Sequence, residues 1–235
     1  PGTTVDRQCG SGQQAMHFAA QGVLSGTQDL VIAGGVESMS QVPIGANIID
    51  GYKAEHGLPY GKKMSERYPG VQFNQFAGAA LLTPKYELTQ NELSAFAFDS
   101  HVKAKRAVLE GRFKDEIVAI QVELEDGTTE SHEQDEGIRM DATLGAIAGL
   151  QPLQENVLLS AATASQICDG AAAVMIAHVA TCKRLGLKPL ARIVAMSVIG
   201  SDPVIMLEGP IPATKKVLEK ANLSVDDIDL FEVNE

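Results

Sequence analysis

The sequence has 235 residues, 45% of them apolar and 21% charged, with a formal net charge of −11. That length can bury a sizeable core in one or two domains, and the composition is that of a globular chain. The acidic balance argues against a general nucleic-acid binder, and no apolar stretch is long enough to span a bilayer as a helix. Cys9, Cys168 and Cys182 are few and irregularly spaced, which points to a reducing compartment, the cytoplasm, without a disulfide framework. A mitochondrial or peroxisomal home stays open. No metal-ligand spacing appears among the scattered histidines, and His17 and His101 read as surface or packing residues. The chain opens without Met and closes in a strand-like pattern, so it reads as a piece of a longer polypeptide.

The first element is a helix. Ala15, Met16, Ala19, Ala20, Val23 and Leu24 recur at three- and four-residue spacing just after Cys9-Gly10-Ser11-Gly12. Cys9 then stands at the mouth of a helix N-terminus, where unpaired N–H groups and the helix dipole favour a thiolate nucleophile. The plainer reading is a buried structural cysteine. Gly10 and Gly12, without a β-carbon, leave room for a carbonyl or another backbone segment to approach. Asp29 to Ser40 follows as an apolar run broken by Gly34-Gly35, the pattern of a buried parallel strand opening into a loop.

From Ser40 to about Tyr68 the periodicity fades, and a long surface excursion is expected. Lys62, Lys63 and Arg67 read first as a solvated face and second as a contact for a phosphate or a neighbouring subunit. Residues 73–82 form a helix. Thr89-Gln90-Asn91-Glu92 is a capping box for a core helix with Leu93, Phe96, Ala97, Ser100, Ala104, Ala107 and Val108 on one face, ended by Gly111. Residues 117–124 alternate as a strand, and Asp126-Gly127 makes a turn. Small residues dominate from Ser160 to Gly170, so a ligand or loop can pack against backbone there. Residues 190–199 form a new apolar strand. Pro210 and Pro212 suit the start of a helix with Ala213, Val217, Leu218 and Ala221 inward. Residues 228–233 read as a buried strand.

Cys9-Gly10-Ser11-Gly12, a helix, and then Ala33-Gly34-Gly35-Val36-Glu37-Ser38-Met39-Ser40 closely resemble the thiolases, the acetyl-CoA acetyltransferase family. Residues 158–175 resemble the family's third motif. Gly200 to Met206 with Gly209 to Ala213 resembles the start of its C-terminal domain, and Asn234-Glu235 the start of its Asn-Glu-Ala-Phe motif. The resemblance implies an α/β, thiolase-like α-β-α-β-α layered fold, incomplete at both ends. Residues 1–40 would belong to the N-terminal domain, 41–156 to an inserted loop domain, 157–188 to the last strand and helix of the N-terminal domain, and 189–235 to the start of the C-terminal domain.

The same resemblance implies an acyltransferase that cleaves 3-ketoacyl-CoA or condenses acyl-CoA through an acyl thioester on Cys9. Asn234 would hold an oxyanion-hole water. Ser165 would touch the pantetheine arm. Arg139 would pair with phosphate or stack on adenine, if it is not simply a solvated Arg in an acidic loop. Asn74 falls where many members have a histidine; it can hydrogen-bond but cannot carry a positive charge. With Phe73 and Phe76 beside it, it looks like the branch that acts on bulkier acyl chains. Thr163 and Gln166 depart from the commoner residues of the motif, and Cys168 and Cys182 read as packing. Coenzyme A is implied as co-substrate, with no permanently bound cofactor and no metal. A homodimer or homotetramer is implied, without nucleic-acid or membrane partners. The family's Gly-His-Pro and Cys-x-Gly-Gly-Gly segments do not occur in these residues. A ketoacyl-synthase-like condensing enzyme and a non-catalytic CoA-binding homologue are the alternatives.

Overall fold

The computed structural model describes residues 1–155 and 157–233. They fall into two compact units, one of residues 1–70, 167–201 and 208–233, the other of 71–155, 157–166 and 202–207.

In the first unit, helix α1 (Ser11–Leu24) leads into strand β1 (Leu30–Ser38), which pairs with strand β4 (Asp169–Ala177). The pairing is antiparallel, with Leu30 opposite Ala177 and Ser38 opposite Asp169. The parallel arrangement expected for β1 is therefore corrected. An apolar run says that both faces of a strand are apolar, but not which way its neighbour runs. Gly34 fits closely at its place: a β-carbon there would crowd the Ala172 carbonyl oxygen at 3.2 Å and Ala173 Cβ at 3.3 Å.

Helix α1 covers one face of this sheet, burying Ala19, Ala20 and Val23 with Ala33 of β1. On the other face Ile32, Val36 and Met175 are exposed. The expected inward face of α1 shifts as well: Gln14 is buried, while Leu24 is 77% exposed. After β4, helix α7 (Val179–Leu185) buries Cys182, as the packing reading required, and Gly186 caps it at φ +67°. Cys168, also read as packing, is exposed.

The surface excursion contains short helices α2 (Ala46–Lys53) and α3 (Lys62–Arg67). Lys62 pairs with Glu66 at 3.7 Å, one turn along α3, and the Arg67 guanidinium lies 5.5 Å from the Tyr68 ring centre. These are solvated-face contacts. Residues 190–199 and 228–233 carry no strand pairing, and Leu230 is 88% exposed. Extended apolar backbone becomes a strand only beside a partner, and among the described residues none lies alongside. Instead the carbonyls of Met196 and Val198 accept from Lys220 and Lys216 of helix α8 (Pro210–Ala221) at 3.0 and 2.9 Å. Helix α8 begins on Pro210 and leaves Ala213, Val217, Leu218 and Ala221 half-buried on one face, with none of its residues fully buried.

In the second unit, helix α4 (Gln75–Lys85) precedes helix α5 (Gln90–Leu109). The Thr89 box forms in both directions: Thr89 N–H donates to the Glu92 carboxylate at 2.8 Å, and Glu92 N–H donates to Thr89 Oγ1 at 3.3 Å. The Thr89 hydroxyl, which donates to the Glu92 carboxylate at 2.7 Å, and then the Thr89 N–H hold that carboxyl below its usual value. Gly111 at φ +68° follows the last turn. Ser94 and Ala97 are buried, whereas Phe96, expected inside, is 71% exposed. Strands β2 (Ile120–Glu123) and β3 (Thr129–His132) form a hairpin across Asp126-Gly127. The short helix α6 (Leu144–Ala148) packs on α5 through buried Ile147. Residues 202–207 join this unit at Gly78, where a β-carbon would stand 2.5 Å from the Ile205 carbonyl oxygen.

Candidate active site

Cys9 is exposed and occupies a tight turn that delivers the chain into α1. Gly10 N–H is shared between the Gln8 carbonyl at 2.7 Å and the Arg7 carbonyl at 3.0 Å, closing the turn over Cys9. Cys9 takes φ +59°, the left-handed region that residues with a β-carbon avoid. Such a backbone costs about 1–3 kcal/mol and persists only where the surroundings over-determine it, most often at functional sites. The strain puts the side chain on a sharp corner just before a helix N-terminus, the placement that suits an accessible nucleophile.

Arg7 frames this corner. Its N–H donates to Ser11 Oγ at 2.9 Å, and its guanidinium donates to the side-chain oxygen of Gln14. Burial, and then the Arg7 charge, hold the His17 imidazole below its ordinary pKa. Next to the corner, Gln8 joins Ile48, His56, Leu58 and Tyr60 in lining an open hollow of about 410 Å³.

The strand-end motif that carries Gly34-Gly35 and the Asp169-Gly170 motif are tied at one carboxylate. Asp169, at the start of β4, accepts from the Ser40 N–H at 2.9 Å, the Ser40 hydroxyl at 2.5 Å and the Ser38 hydroxyl at 3.3 Å. The Ser40 hydroxyl bond is the largest cause that lowers the Asp169 pKa, and the Ser40 N–H is next. A lowered folded-state pKa stabilises the fold above the unfolded value and loses that contribution as pH falls through the folded one. Acid titration below about pH 4 should therefore destabilise the wild type more than Asp169→Asn, measured by denaturant unfolding between pH 7 and pH 3. Parallel acid profiles for the two proteins would contradict this role for Asp169.

In the second unit, the structure ties the loops that carry Arg139 and Ser165. Gln166 Nε2 donates to the Gly137 carbonyl at 2.6 Å. Arg139 N–H donates to Nδ1 of His101 on α5 at 3.3 Å, and Lys105 Nζ donates to the Met140 carbonyl at 2.5 Å. His101 is thus a packing residue, and the Arg139 and Ser165 side chains are left at the exposed surface of bound loops. The Ser165 loop is stiffened at Ser160, 1% exposed, whose N–H donates to Thr163 Oγ1 at 2.8 Å. Thr163 and Gln166, the departures from the commoner motif, are the residues that make these bonds. Asn74 caps α4, its Oδ1 accepting from Phe76 N–H at 2.7 Å. Asn234 lies outside the described residues.

Sequence reasoning passed over Arg7, Gln14 and Asp169. No sequence signal marked Gln14, which lies off the apolar stripe of α1 among Gln13, His17 and Gln21 and is set apart only by its burial. None existed for Asp169, whose partners lie about 130 residues away. Among the described residues no group of three His, Cys, Asp or Glu could hold a metal ion, and no helix is long and apolar enough to cross a membrane.

A cysteine on a strained corner at the head of a helix, set on an α/β layer, defines the class of α/β proteins that display a thiol at a helix N-terminus. The family models for the thiolase N-terminal domain and the thiolase C-terminal domain match residues 1–180 and 187–235. The chain belongs to the thiolase family. It is 44% identical over its full length to the steroid 3-ketoacyl-CoA thiolase FadA6 of Mycobacterium tuberculosis, and spans 57% of that relative. It is 38% identical to the 3-ketoacyl-CoA thiolase of Idiomarina loihiensis, spanning 58% of it. Among solved structures, the Bacillus anthracis acetyl-CoA acetyltransferase superposes with a TM-score of 0.81 at 36% identity, over 97% of this chain and 59% of the other. Human mitochondrial 3-ketoacyl-CoA thiolase also gives 0.81, at 32% identity, over 98% and 59%. The chain thus spans under two thirds of these relatives' length.

Proposed function

We propose that the whole protein is a thiolase-type acyltransferase. It would cleave 3-ketoacyl-CoA with coenzyme A, or run the same steps backwards as a Claisen condensation, with Cys9 as nucleophile. The observation that carries this reading is the exposed Cys9 held at positive φ at the entry to α1. The Cys9 sulfur attacks the 3-keto carbon as thiolate. The C2–C3 bond breaks, the acyl group stays on sulfur as a thioester, and acetyl-CoA leaves as its enolate and takes a proton. The thiolate of coenzyme A then attacks the thioester and Cys9 departs as thiolate.

Asn234 would position a water at the thioester oxygen, where charge develops. Arg139 would grip the phosphate–adenine end of coenzyme A, Ser165 the pantetheine arm, and Asn74 the acyl-bearing end. No resident cofactor is invoked. The acid/base that manages the α-carbon proton would come from residues other than these 235. Residues 1–40 and 157–188 would belong to the N-terminal domain, 41–156 to the loop domain and 189–235 to the C-terminal domain. A homodimer or homotetramer in the cytoplasm, acting without nucleic-acid or membrane partners, is the accompanying proposal. Phe73, Asn74 and Phe76 favour a bulky acyl chain, in keeping with the steroid substrate named for the Mycobacterium relative.

The test is thiolysis by the whole protein, with a steroid-derived 3-ketoacyl-CoA compared against acetoacetyl-CoA. Both should be cleaved, the bulky substrate with the higher kcat/KM. Arg139→Ala should raise the KM for coenzyme A about tenfold with kcat held, the signature of lost uniform binding. No cleavage of either substrate would overturn the reading.

A further inference from the structure

The backbone around Cys9 is held from one side by Arg7 and from the other by Gln14. The Arg7 carbonyl accepts from Gly10 N–H at 3.0 Å and its N–H reaches Ser11 Oγ at 2.9 Å. Gln14, one turn into α1, donates its own N–H to the Gly10 carbonyl at 2.9 Å. Its side chain is drawn inside, leaving the residue 9% exposed, and the side-chain oxygen accepts from the Arg7 guanidinium. The turn is closed tightly enough that a β-carbon at Gly10 would stand 3.3 Å from the Arg7 carbonyl oxygen.

A left-handed backbone at a residue with a β-carbon relaxes unless its neighbours forbid it. Here the neighbours are the residues bonded above. A buried amide oxygen needs a donor, and a charged donor makes the stronger bond.

We propose that Arg7 and Gln14 are positioning residues for Cys9. Their side-chain bond locks the turn onto α1 and fixes the direction in which the sulfur is presented. This rests on the acyl-transfer reading of Cys9, although one of its readouts does not. Neither side chain is assigned a step in the reaction; both act through the Cys9 backbone. A pair that merely stabilised α1 would change the melting temperature and leave the reactivity of the folded protein alone.

The variants are Arg7→Met, Arg7→Lys, Gln14→Met and the double Arg7→Met/Gln14→Met. Methionine keeps the length and burial of Gln14 while removing its acceptor. Single-turnover acylation by a 3-ketoacyl-CoA is measured in the whole protein, and iodoacetamide alkylation of Cys9 alongside it. Both are read on folded protein, with the melting temperature recorded. Misplacement of a reacting atom by a fraction of an ångström to an ångström costs up to about 100-fold. Arg7→Met and Gln14→Met should each slow acylation about 10- to 100-fold with KM held, and slow alkylation in the same order. The double variant should be no slower than the worse single, because one shared bond has been removed. Arg7→Lys, which keeps a charged donor, should recover part of the rate.

Losses that multiply in the double variant would overturn the proposal. So would variants that melt earlier but acylate and alkylate at wild-type rates. If Cys9→Ala still forms an acyl-enzyme, the acyl-transfer reading fails on its own, and the alkylation series still judges the clamp.

Discussion

Cys9→Ala should lower acyl-enzyme formation by the whole protein by about four orders of magnitude or more, the usual consequence of deleting a nucleophile. The loss should fall on kcat, since the α-carbon proton, the leaving acetyl-CoA enolate and the second thioester all depend on the covalent step. Binding of coenzyme A, proposed to rest on Arg139 and Ser165, should survive. The backbone gives this substitution a second reading. Alanine keeps the left-handed strain at φ +59°, whereas glycine removes it. Cys9→Gly should therefore be as inactive as Cys9→Ala yet more stable, by up to about 1–3 kcal/mol before the greater freedom of unfolded glycine is discounted. Stopped-flow acylation and denaturant unfolding on the same preparations check both halves. An alanine variant that turns over, or a glycine variant much less stable than the alanine one, would contradict the role given to this corner.

The second large effect concerns the 235-residue chain expressed alone. It carries the proposed nucleophile but no Gly-His-Pro or Cys-x-Gly-Gly-Gly segment. Without that acid/base the enolate of the first step has no partner for its proton, and general acid–base catalysis contributes about 10²–10⁴-fold at each transfer. The chain should show no ketoacyl-CoA cleavage above the rate of a Cys9→Ala control, while its exposed Cys9 still reacts with iodoacetamide. Steady-state cleavage that disappears in the control would place a working acid/base within these residues.

Local rules were legible in the sequence. The capping box at Thr89 forms with both reciprocal bonds, Gly111 and the Asp126-Gly127 turn fall where they were expected, and Pro210 opens α8. These features depend on neighbours within a few residues, which a sequence displays directly. Pairing across the chain was not legible. β1 meets β4 from the opposite direction, and Asp169 reaches Ser38 and Ser40 across about 130 residues. Periodicity marks which residues are apolar, but burial needs a partner. Val36 and Phe96 sit at apolar positions with nothing described against them, and the run from 190 to 199 has no strand beside it.

The centre of the candidate site was legible as a motif, and its hydrogen-bonded surroundings were not. Cys9 and its glycines stood out as a motif. The residues that bend the backbone under it, Arg7 and Gln14, look like ordinary polar residues until a side-chain bond joins them. Thr163 and Gln166 were read as departures from a pattern. They are the side chains that brace the loops of Ser165 and Arg139, and hydrogen-bond geometry rather than residue type reveals that.

Identification of the acylated residue is the decisive measurement. The whole protein would be mixed with a labelled 3-ketoacyl-CoA in the absence of free coenzyme A, quenched in acid and mapped by peptide mass spectrometry. The label should appear on Cys9, in the peptide running into Ser11–Leu24, and should leave when coenzyme A is added before quenching. A label on Cys168, on Cys182 or on any residue outside this turn, or none at all under conditions of active cleavage, would contradict the assignment of Cys9 as the nucleophile.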